Sequence, residues 1–471
     1  MNRTDEKALK AGIGYTIGNI LIKGISFLSI PFFSRILGTS DFGVYNVFVS
    51  YETVLFIVMG LGMHNSLRSA NLEFLGNTNK YVSDISLVYI TNFILSIMAV
   101  FIFGDIVGSM LGLDSLYLLL LCINAFSNSI LYLYNIYLSL TYEFKKFLII
   151  SFFNTSGNII LSIILMFLVF KSDKLLGRIL GTTTIIGIIS VILLICMYKV
   201  AWPQLNLRYI KFALKYSLPL VPHSISQVIL AQFDRIMINS LVNSAAAGIF
   251  SLAGIIKLIL AIITESISTA WSTWFYEKIH AEDVANIQEK SLILIKGFSL
   301  LTVSIMCFVP EIIFLLGGRD YVEAKYVAIP MVMDAFVLFI YNLIVQVEYY
   351  KKKTLYIMYS TILISLINLI LNYIFILKYG FVSAAYTTLF SYFVLLIIHL
   401  VISKNQAGFY IINPISMGLY FAFVSVIAII NIYIIDLNYI RYMVFTIISA
   451  YAIYHYRGII KEKTLFYKKF F

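Results

Sequence analysis

Apolar runs separated by short polar gaps repeat along the whole chain. Each run has roughly the 20 residues that an α-helix needs to cross the hydrocarbon core of a bilayer. The pattern predicts about fourteen spans, at 11–37, 44–63, 84–104, 113–138, 148–170, 176–198, 217–241, 247–271, 291–316, 326–348, 355–377, 382–402, 415–435 and 439–454. The stretches 116–122, 159–170 and 185–195 are nearly continuous apolar blocks. They lack the alternation of barrel strands. Helices are therefore the expected way for the backbone to satisfy its polar groups in lipid. The fold class expected is all-α integral membrane.

The gaps carry the next layer of information. With the N-terminus placed in the cytoplasm, the inner segments hold about 22 of the 34 Lys and Arg residues and the outer ones about 7, counting Arg178 and Arg441 at the outer edges of their spans. This asymmetry fits the positive-inside rule. It supports an even number of spans with both termini cytoplasmic. The basic inner groups include Lys145 and Lys146, the connection 199–216, Lys351 to Lys353, and a tail with Lys461, Lys463, Lys468 and Lys469. The outer connections, such as GTSDFG, VNSAAAG and KYG, leave no room for a soluble domain. The inner connection STWFYEKIHAEDVANIQEK has apolar residues at helical spacing (Phe275, Ile279, Val284, Ile287) and is expected to lie along the membrane surface. The N-terminus runs into an apolar stretch interrupted by Lys23 and is read as an uncleaved first helix.

Composition narrows the function. The chain is 61% hydrophobic and only 12% charged, too apolar for a water-soluble domain. Its net charge of +11 sits mainly in the inner gaps and reads as topogenic; no nucleic-acid platform is visible. Cys122, Cys196 and Cys307 are far apart and have no metal-ligand or redox spacing. No phosphate-binding G-x-x-x-x-G-K-[ST] loop, H-E-x-x-H or G-x-S-x-G occurs. No metal or organic cofactor is expected, and transport is the natural remaining class.

Ionisable residues inside the spans point the same way. One at mid-membrane costs about 2.5–3.5 kcal/mol on insertion scales unless it faces protein or water. The chain keeps Lys23, Glu52, Asp234, Arg235, Lys257, Glu265 and Asp334. At about 100° per residue, Gly12, Thr16, Asn19, Lys23 and Ser34 share a face of the first span. His223, Gln227 and Asp234 do so on the seventh. Lys257, Thr264, Ser268 and Trp271 line one side of the eighth, with Glu265 adjacent, and Asp334, Tyr341 and Glu348 recur every seven residues on the tenth. Polar stripes on several helices suggest a shared hydrated cavity. For each charge a structural role competes: Lys23 could pair with Glu52, Asp234 and Arg235 could neutralise one another, and Asp334 could see outer water near its helix start. His64, His399 and His455 read as interfacial.

An internal echo divides the chain in two. Ala8-Leu9-Lys10 precedes the first span and Ala213-Leu214-Lys215 the seventh; Gly43-Val44-Tyr45 opens the second and Gly248-Ile249-Phe250 the eighth. The expected organisation is an N-terminal lobe over 1–198, a cytoplasmic linker over 199–216, a C-terminal lobe over 217–404, and two further helices with a basic tail over 405–471. The lobes would be parallel repeats.

The run KGISFLSIPFFSRILGTSDFGVYNVFVSYE, with Arg35, Ile36, Leu37, Gly38, Asp41, Phe42, Gly43 and Tyr45 in an R-[IL]-L-G-x-x-[DE]-[FY]-G-x-Y pattern, resembles the opening of bacterial polysaccharide-precursor flippases. These belong to the multidrug/oligosaccharidyl-lipid/polysaccharide exporter superfamily. The second run, from Leu214 to Ala253, is similar to the same family at Ser217, Leu218, Pro219, Leu220, Pro222, Asp234, Arg235, Gly248 and Phe250. The resemblance implies two six-helix lobes around a central cavity, as in MATE-type transporters, plus two C-terminal helices. It implies alternating access across the bacterial cytoplasmic membrane. The implied cargo is an undecaprenyl-pyrophosphate-linked oligosaccharide for O-antigen, lipopolysaccharide or capsule. A polysaccharide polymerase and a chain-length regulator are implied partners.

Chemistry and resemblance together nominate Lys23, Arg35, Glu52, Asp234, Arg235, Lys257 and Glu265 as cavity residues. Asp234, Glu265 and Asp334 are candidates for coupling to H⁺ or Na⁺. Cationic side chains in a low-dielectric cleft attract a diphosphate more strongly than in bulk water. A cation-coupled drug or metabolite exporter of the same superfamily is the alternative, and a membrane polymerase is a third reading disfavoured by the short outer loops. The topology gives a direct test. In a chain lacking its natural cysteines, Lys145→Cys is expected to react with an impermeant thiol reagent only from the cytoplasmic side, and Asn243→Cys only from outside.

Overall fold

The computed structural model describes residues 3–451, 453 and 454; the side chains of 3–13, 16, 17 and 20 lie outside the description. All regular structure among these residues is helical. The sequence pattern is thus borne out in fold class. The lysines of the tail and His455 fall outside the described residues, as do the side chains of Gly12 and Thr16.

The chain divides into two compact units, Met1–Gly248 and Ile249–Phe471. The first contains α1 (Arg3–Gly60), α2 (Leu67–Glu73), α3 (Thr78–Leu111), α4 (Ser115–Leu140), α5 (Phe144–Ile164), α6 (Lys174–Val200), α7 (Leu207–Ser217) and α8 (Val221–Leu241). Helix α9 (Ser244–His280) begins in the first unit and continues into the second. There follow α10 (Val284–Cys307), α11 (Val309–Gly317), α12 (Ala324–Ile344), α13 (Gln346–Tyr350), α14 (Thr354–Tyr379), α15 (Ser383–Ala407) and α16 (Pro414–Tyr433). The chain is helical again from 438.

Eleven helices among the described residues are long and apolar enough to span a membrane. Three differences account for the fourteen expected spans. Helix α1 holds two of them, which meet at Gly38 (φ 69°, ψ −179°), a conformation open to glycine. Helix α8 has 21 residues but carries Gln227, Gln232, Asp234 and Arg235, and is not among the eleven. The last expected span lies partly outside the described residues. Two boundaries also move. Pro310, which has no N–H to donate, sits just inside α11 and divides the expected span 291–316 at Phe308. The segment expected on the membrane surface forms the end of α9 and the start of α10, with Phe275 and Ile287 fully buried.

Buried polar anchors hold each unit together. In the first, Arg178 on α6 donates to Asn158 (2.6 Å) and Ser162 (2.9 Å) on α5, and its guanidinium lies over Phe33 (3.8 Å) and Tyr45 (4.8 Å). Such stacking strengthens when water is excluded. Asp84 at the start of the third span accepts from the backbone N–H groups of Gln204, Leu205 and Asn206, so its carboxylate fixes the connection between α6 and α7. In the second unit, Arg441 makes two bonds to Glu311 (2.8 and 2.7 Å) and others to Asn438 and the Cys307 carbonyl. Arg178 and Arg441 were expected as charges at the outer rim. Both are buried structural ties. Helices α14 and α15 are joined by Asn368, Asn372, Thr387, Thr388 and Ser391, all buried and hydrogen-bonded, a usual adhesive between helices in lipid.

Small residues supply the closest approach within the first unit. A Cβ on Gly43 would lie 1.8 Å from the Ser244 carbonyl oxygen, and one on Gly248 would lie 2.0 Å from the Thr39 carbonyl oxygen. The contact is reciprocal, each partner lying 205 positions beyond its counterpart, as Gly248 lies from Gly43. The glycines of the sequence echo are therefore the residues that let α1 and α9 touch. Overpacking typically costs about 1–3 kcal/mol even against movable side chains; here the obstacle is backbone. Gly43→Val and Gly248→Val are each expected to lower the unfolding temperature in detergent by several degrees. Gly297→Ala, where nothing lies within 4 Å of the added carbon, should leave it unchanged or raise it.

Candidate functional site

A polar cavity of about 510 Å³ opens between α9 and the α12–α13 segment of the second unit. Helical periodicity places its wall. Lys257, Ala261, Thr264, Glu265, Ser268, Ser272 and Tyr276 recur every three or four residues along α9, and Ala335, Leu338, Asn342, Gln346 and Tyr349 do so opposite. The sequence stripe of Lys257, Thr264, Ser268 and Glu265 is therefore brought together on one lining. Trp271 is the exception. It is buried, donates to the Leu343 carbonyl at 3.2 Å and stacks on Phe275.

Lys257 is the cation of this cavity. Its Nζ lies 2.7 Å from Asp334 Oδ1 and 4.9 Å from the ring centre of Tyr392. Asp334 is 1% exposed, whereas the Lys257 side chain keeps 23% of its surface. The acid stands behind the amine, and the amine reaches the cavity. Asp334 was expected near outer water; it is instead enclosed within α12, where nearly every neighbour is buried. Pairing explains how the sequence tolerates it. Glu265 is the acid that faces the cavity, and it is exposed. Asn342, Gln346, Tyr349 and Tyr276 were missed as lining residues. For Asn342, Gln346 and Tyr349 the available signal was their spacing from Ala335 on and just beyond the tenth span, and for Tyr276 its spacing from Ser268 and Ser272 along α9.

The remaining candidates lie in the first unit. Lys23 and Arg35 on α1 are exposed. On the stripe of the first span, Asn19 is exposed as well but Ser34 is fully buried, so that stripe does not share one environment. Glu52 accepts a hydrogen bond from Asn128 on α4. Asp234 is 5% exposed on α8. Arg235 beside it donates to Gln232, which in turn accepts from Ser50 of α1 at 3.4 Å. A polar chain thus ties α1 to α8. His223 is half-buried against Gln227. His399, read from sequence as interfacial, is fully buried and meets Glu348 at 2.5 Å. Among the described residues no cluster of His, Cys, Asp and Glu is arranged to hold a metal ion.

Comparison with known proteins adds to this geometry. The family profile described as polysaccharide biosynthesis protein matches residues 8–277. A relative from Haemophilus influenzae, Lsg locus putative protein 1, is 23% identical over 381 residues, covering 77% of this chain and 89% of its own. A solved structure of the lipid II flippase MurJ in an inward closed conformation superposes with a TM-score of 0.74 at 16% identity, over 95% of this chain and all of that one. An inward-facing multidrug resistance MATE family transporter of the MOP superfamily gives 0.59 at 14% identity, over 84% and 94%. These structures share the fold with this chain.

The Lys257–Asp334 pair yields a stability prediction. Removing one partner of a buried pair costs about 3–5 kcal/mol, and the partial exposure of Lys257 brings this toward the lower end. Asp334→Ala is expected to destabilise the protein, as read by thermal unfolding in detergent. Asp334→Leu combined with Lys257→Met should recover most of the loss.

Proposed function

Since the chain belongs to the polysaccharide biosynthesis protein family, we propose that it is a flippase for a lipid-linked polysaccharide precursor. The cargo is an oligosaccharide repeat unit on undecaprenyl pyrophosphate, carried across the bacterial cytoplasmic membrane for O-antigen or capsule synthesis. The observation that carries this reading is the position of Lys257, with its ammonium on the wall of a polar cavity and its counter-ion sealed behind it. A diphosphate carries negative charge that hydrocarbon excludes. A partly dehydrated ammonium gives it a charge-assisted contact, and the hydroxyls and amides of Ser268, Ser272, Asn342 and Gln346 suit the sugars. An acid-led cavity would suit cationic drugs; here Asp334 is buried beside Lys257, and Glu265 is the acid on the lining. The fold is that of the lipid II flippase MurJ, whose own cargo is a lipid-linked precursor.

The lipid tail needs a separate, apolar place. A mainly apolar groove of about 590 Å³ is lined by Leu292 and Leu300 of α10, Leu419, Tyr420 and Phe423 of α16, and Ile447 and Ile448 of the last helix, with Lys296, Ser299 and Ser416 as its polar members. It is assigned to the polyprenyl chain. In this reading 1–198 and 217–404 act as the two lobes, 199–216 as their linker, and 405–471 adds the helices that hold the tail. Lys23, Arg35 and Arg235 serve as cationic residues of the first unit for the cargo. Glu52, Asp234, Glu265 and Asp334 balance these cations or bind a coupling ion. Both termini face the cytoplasm, and a polymerase and chain-length regulator take up the product outside.

The test is complementation of a strain lacking the gene, read as surface polysaccharide at equal membrane abundance. A hydrogen bond to a charged group contributes about 1.5–3 kcal/mol, so Lys257→Ala is expected to cut export roughly ten-fold or more. Lys257→Arg should retain much of it. Normal export by Lys257→Ala would remove the cavity from the transport path.

A further inference from the structure

Glu348 and His399 are both 0% exposed, and Glu348 Oε1 lies 2.5 Å from His399 Nδ1. No step of the proposed transport uses them. The second oxygen of Glu348 and the Nε2 of His399 are also buried, and neither has a hydrogen-bond partner among the described residues. The neighbours identified around the pair are aromatic, aliphatic and hydroxyl side chains. The ring of Tyr341 on α12 meets His399 edge-on at 5.1 Å. Tyr349 on α13 follows Glu348 in the chain and lies near Tyr276 of α9, and Tyr392 on α15 lies near Tyr341. The buried face of α14 near its start is Ile357, Ser360, Thr361 and Ile364. Lysines 351–353 follow α13 with exposed side chains. Asp334, already paired with Lys257, lies fourteen residues back along α12, about 20 Å at 1.5 Å per residue.

The proton count follows from this isolation. The short contact holds one proton between Oε1 and Nδ1. With that proton alone the pair is carboxylate plus neutral imidazole and carries a net charge of −1 in a dry interior. A second proton, giving either imidazolium with carboxylate or imidazole with carboxylic acid, makes the pair neutral overall. The two states of the pair thus differ by one proton and one unit of charge.

Its position links that proton to the cavity. The helical ladder of α12 ends at Ile344, and α13 starts at Gln346. Carbonyls at this break are taken by side chains from other helices: Leu343 by Trp271 Nε1 and Ile344 by Ser403 Oγ, each at 3.2 Å. Glu348 ties the short α13 to α15 through His399. The same five-residue helix presents Gln346 and Tyr349 to the cavity. We propose that Glu348 and His399 form a proton-binding site that couples proton loading to the shape of the cavity, by fastening or releasing α13 against α15. The coupling rests on the flippase reading only in treating this cavity as the cargo site; proton binding itself does not.

The experiment uses the full chain in lipid nanodiscs with ¹⁵N-labelled histidine, His399 being assigned by its absence in His399→Gln. Trp202→Phe and Trp274→Phe leave Trp271 as a reporter beside the break. The expected result is a single pH step in the His399 ring shifts, a Trp271 emission step at the same midpoint, and loss of the Trp271 step in Glu348→Gln and in His399→Gln. A His399 that keeps one protonation state wherever the protein stays folded would overturn the proposal. So would a Trp271 step that persists in both variants. If Glu348→Gln fails to fold, coincidence of the two midpoints in the unsubstituted pair supports the site and their separation refutes it. Normal export by Lys257→Ala with a titrating His399 would remove this cavity from the transport path and leave the proton site standing; a silent His399 with Lys257-dependent export would sink only the proton site.

Discussion

A full charge in hydrocarbon is tolerated only beside an opposite charge, a set of hydrogen-bond partners or water. That requirement organises both units of this protein. Arg178 is satisfied by an asparagine, a serine and two aromatic faces, Arg441 by a glutamate, an asparagine and a carbonyl, and Asp84 by three backbone N–H groups. In each case the charge is consumed by the fold. Lys257 differs because its acid is buried while its own side chain keeps part of its surface on a cavity wall. The functional reading depends on that asymmetry.

Much of the fold was legible because the constraint in lipid is severe. Runs of helix-length apolar sequence have few alternatives, and the family motif fell on residues with a visible structural task. Gly43 and Gly248, repeated at corresponding places in the sequence, are the points where α1 and α9 meet backbone to backbone. Helix breaks were less legible. Pro310 and the end of α12 at Ile344 interrupt stretches whose hydropathy runs on unbroken, and the Gly38 break joins two spans with a single non-helical residue. Apolarity fixes how much helix there is, not where its hydrogen-bond ladder changes partners.

The site was legible on one helix at a time. Periodicity put Lys257, Thr264, Glu265 and Ser268 on one side of the eighth span, and the structure agrees. What periodicity cannot give is the partner across the gap. Pairing with Asp334, enclosure of His399 with Glu348, and the bond from Asn128 to Glu52 all connect residues more than fifty positions apart. Rim charges misled for the same reason. Arg178 and Arg441 sit where topogenic residues belong, and only their contacts reveal structural roles.

The second unit thus combines a cation at the cavity wall, an acid that holds it in place, and a buried carboxylate–imidazole pair on the helix that closes the same cavity. The most direct measurement is a structure of the protein with a polyprenyl-pyrophosphate oligosaccharide bound. Phosphate oxygens within hydrogen-bond distance of Lys257 Nζ, with the tail against Leu419 and Phe423, are expected. A headgroup bound elsewhere, with no phosphate reaching Lys257, would contradict the account.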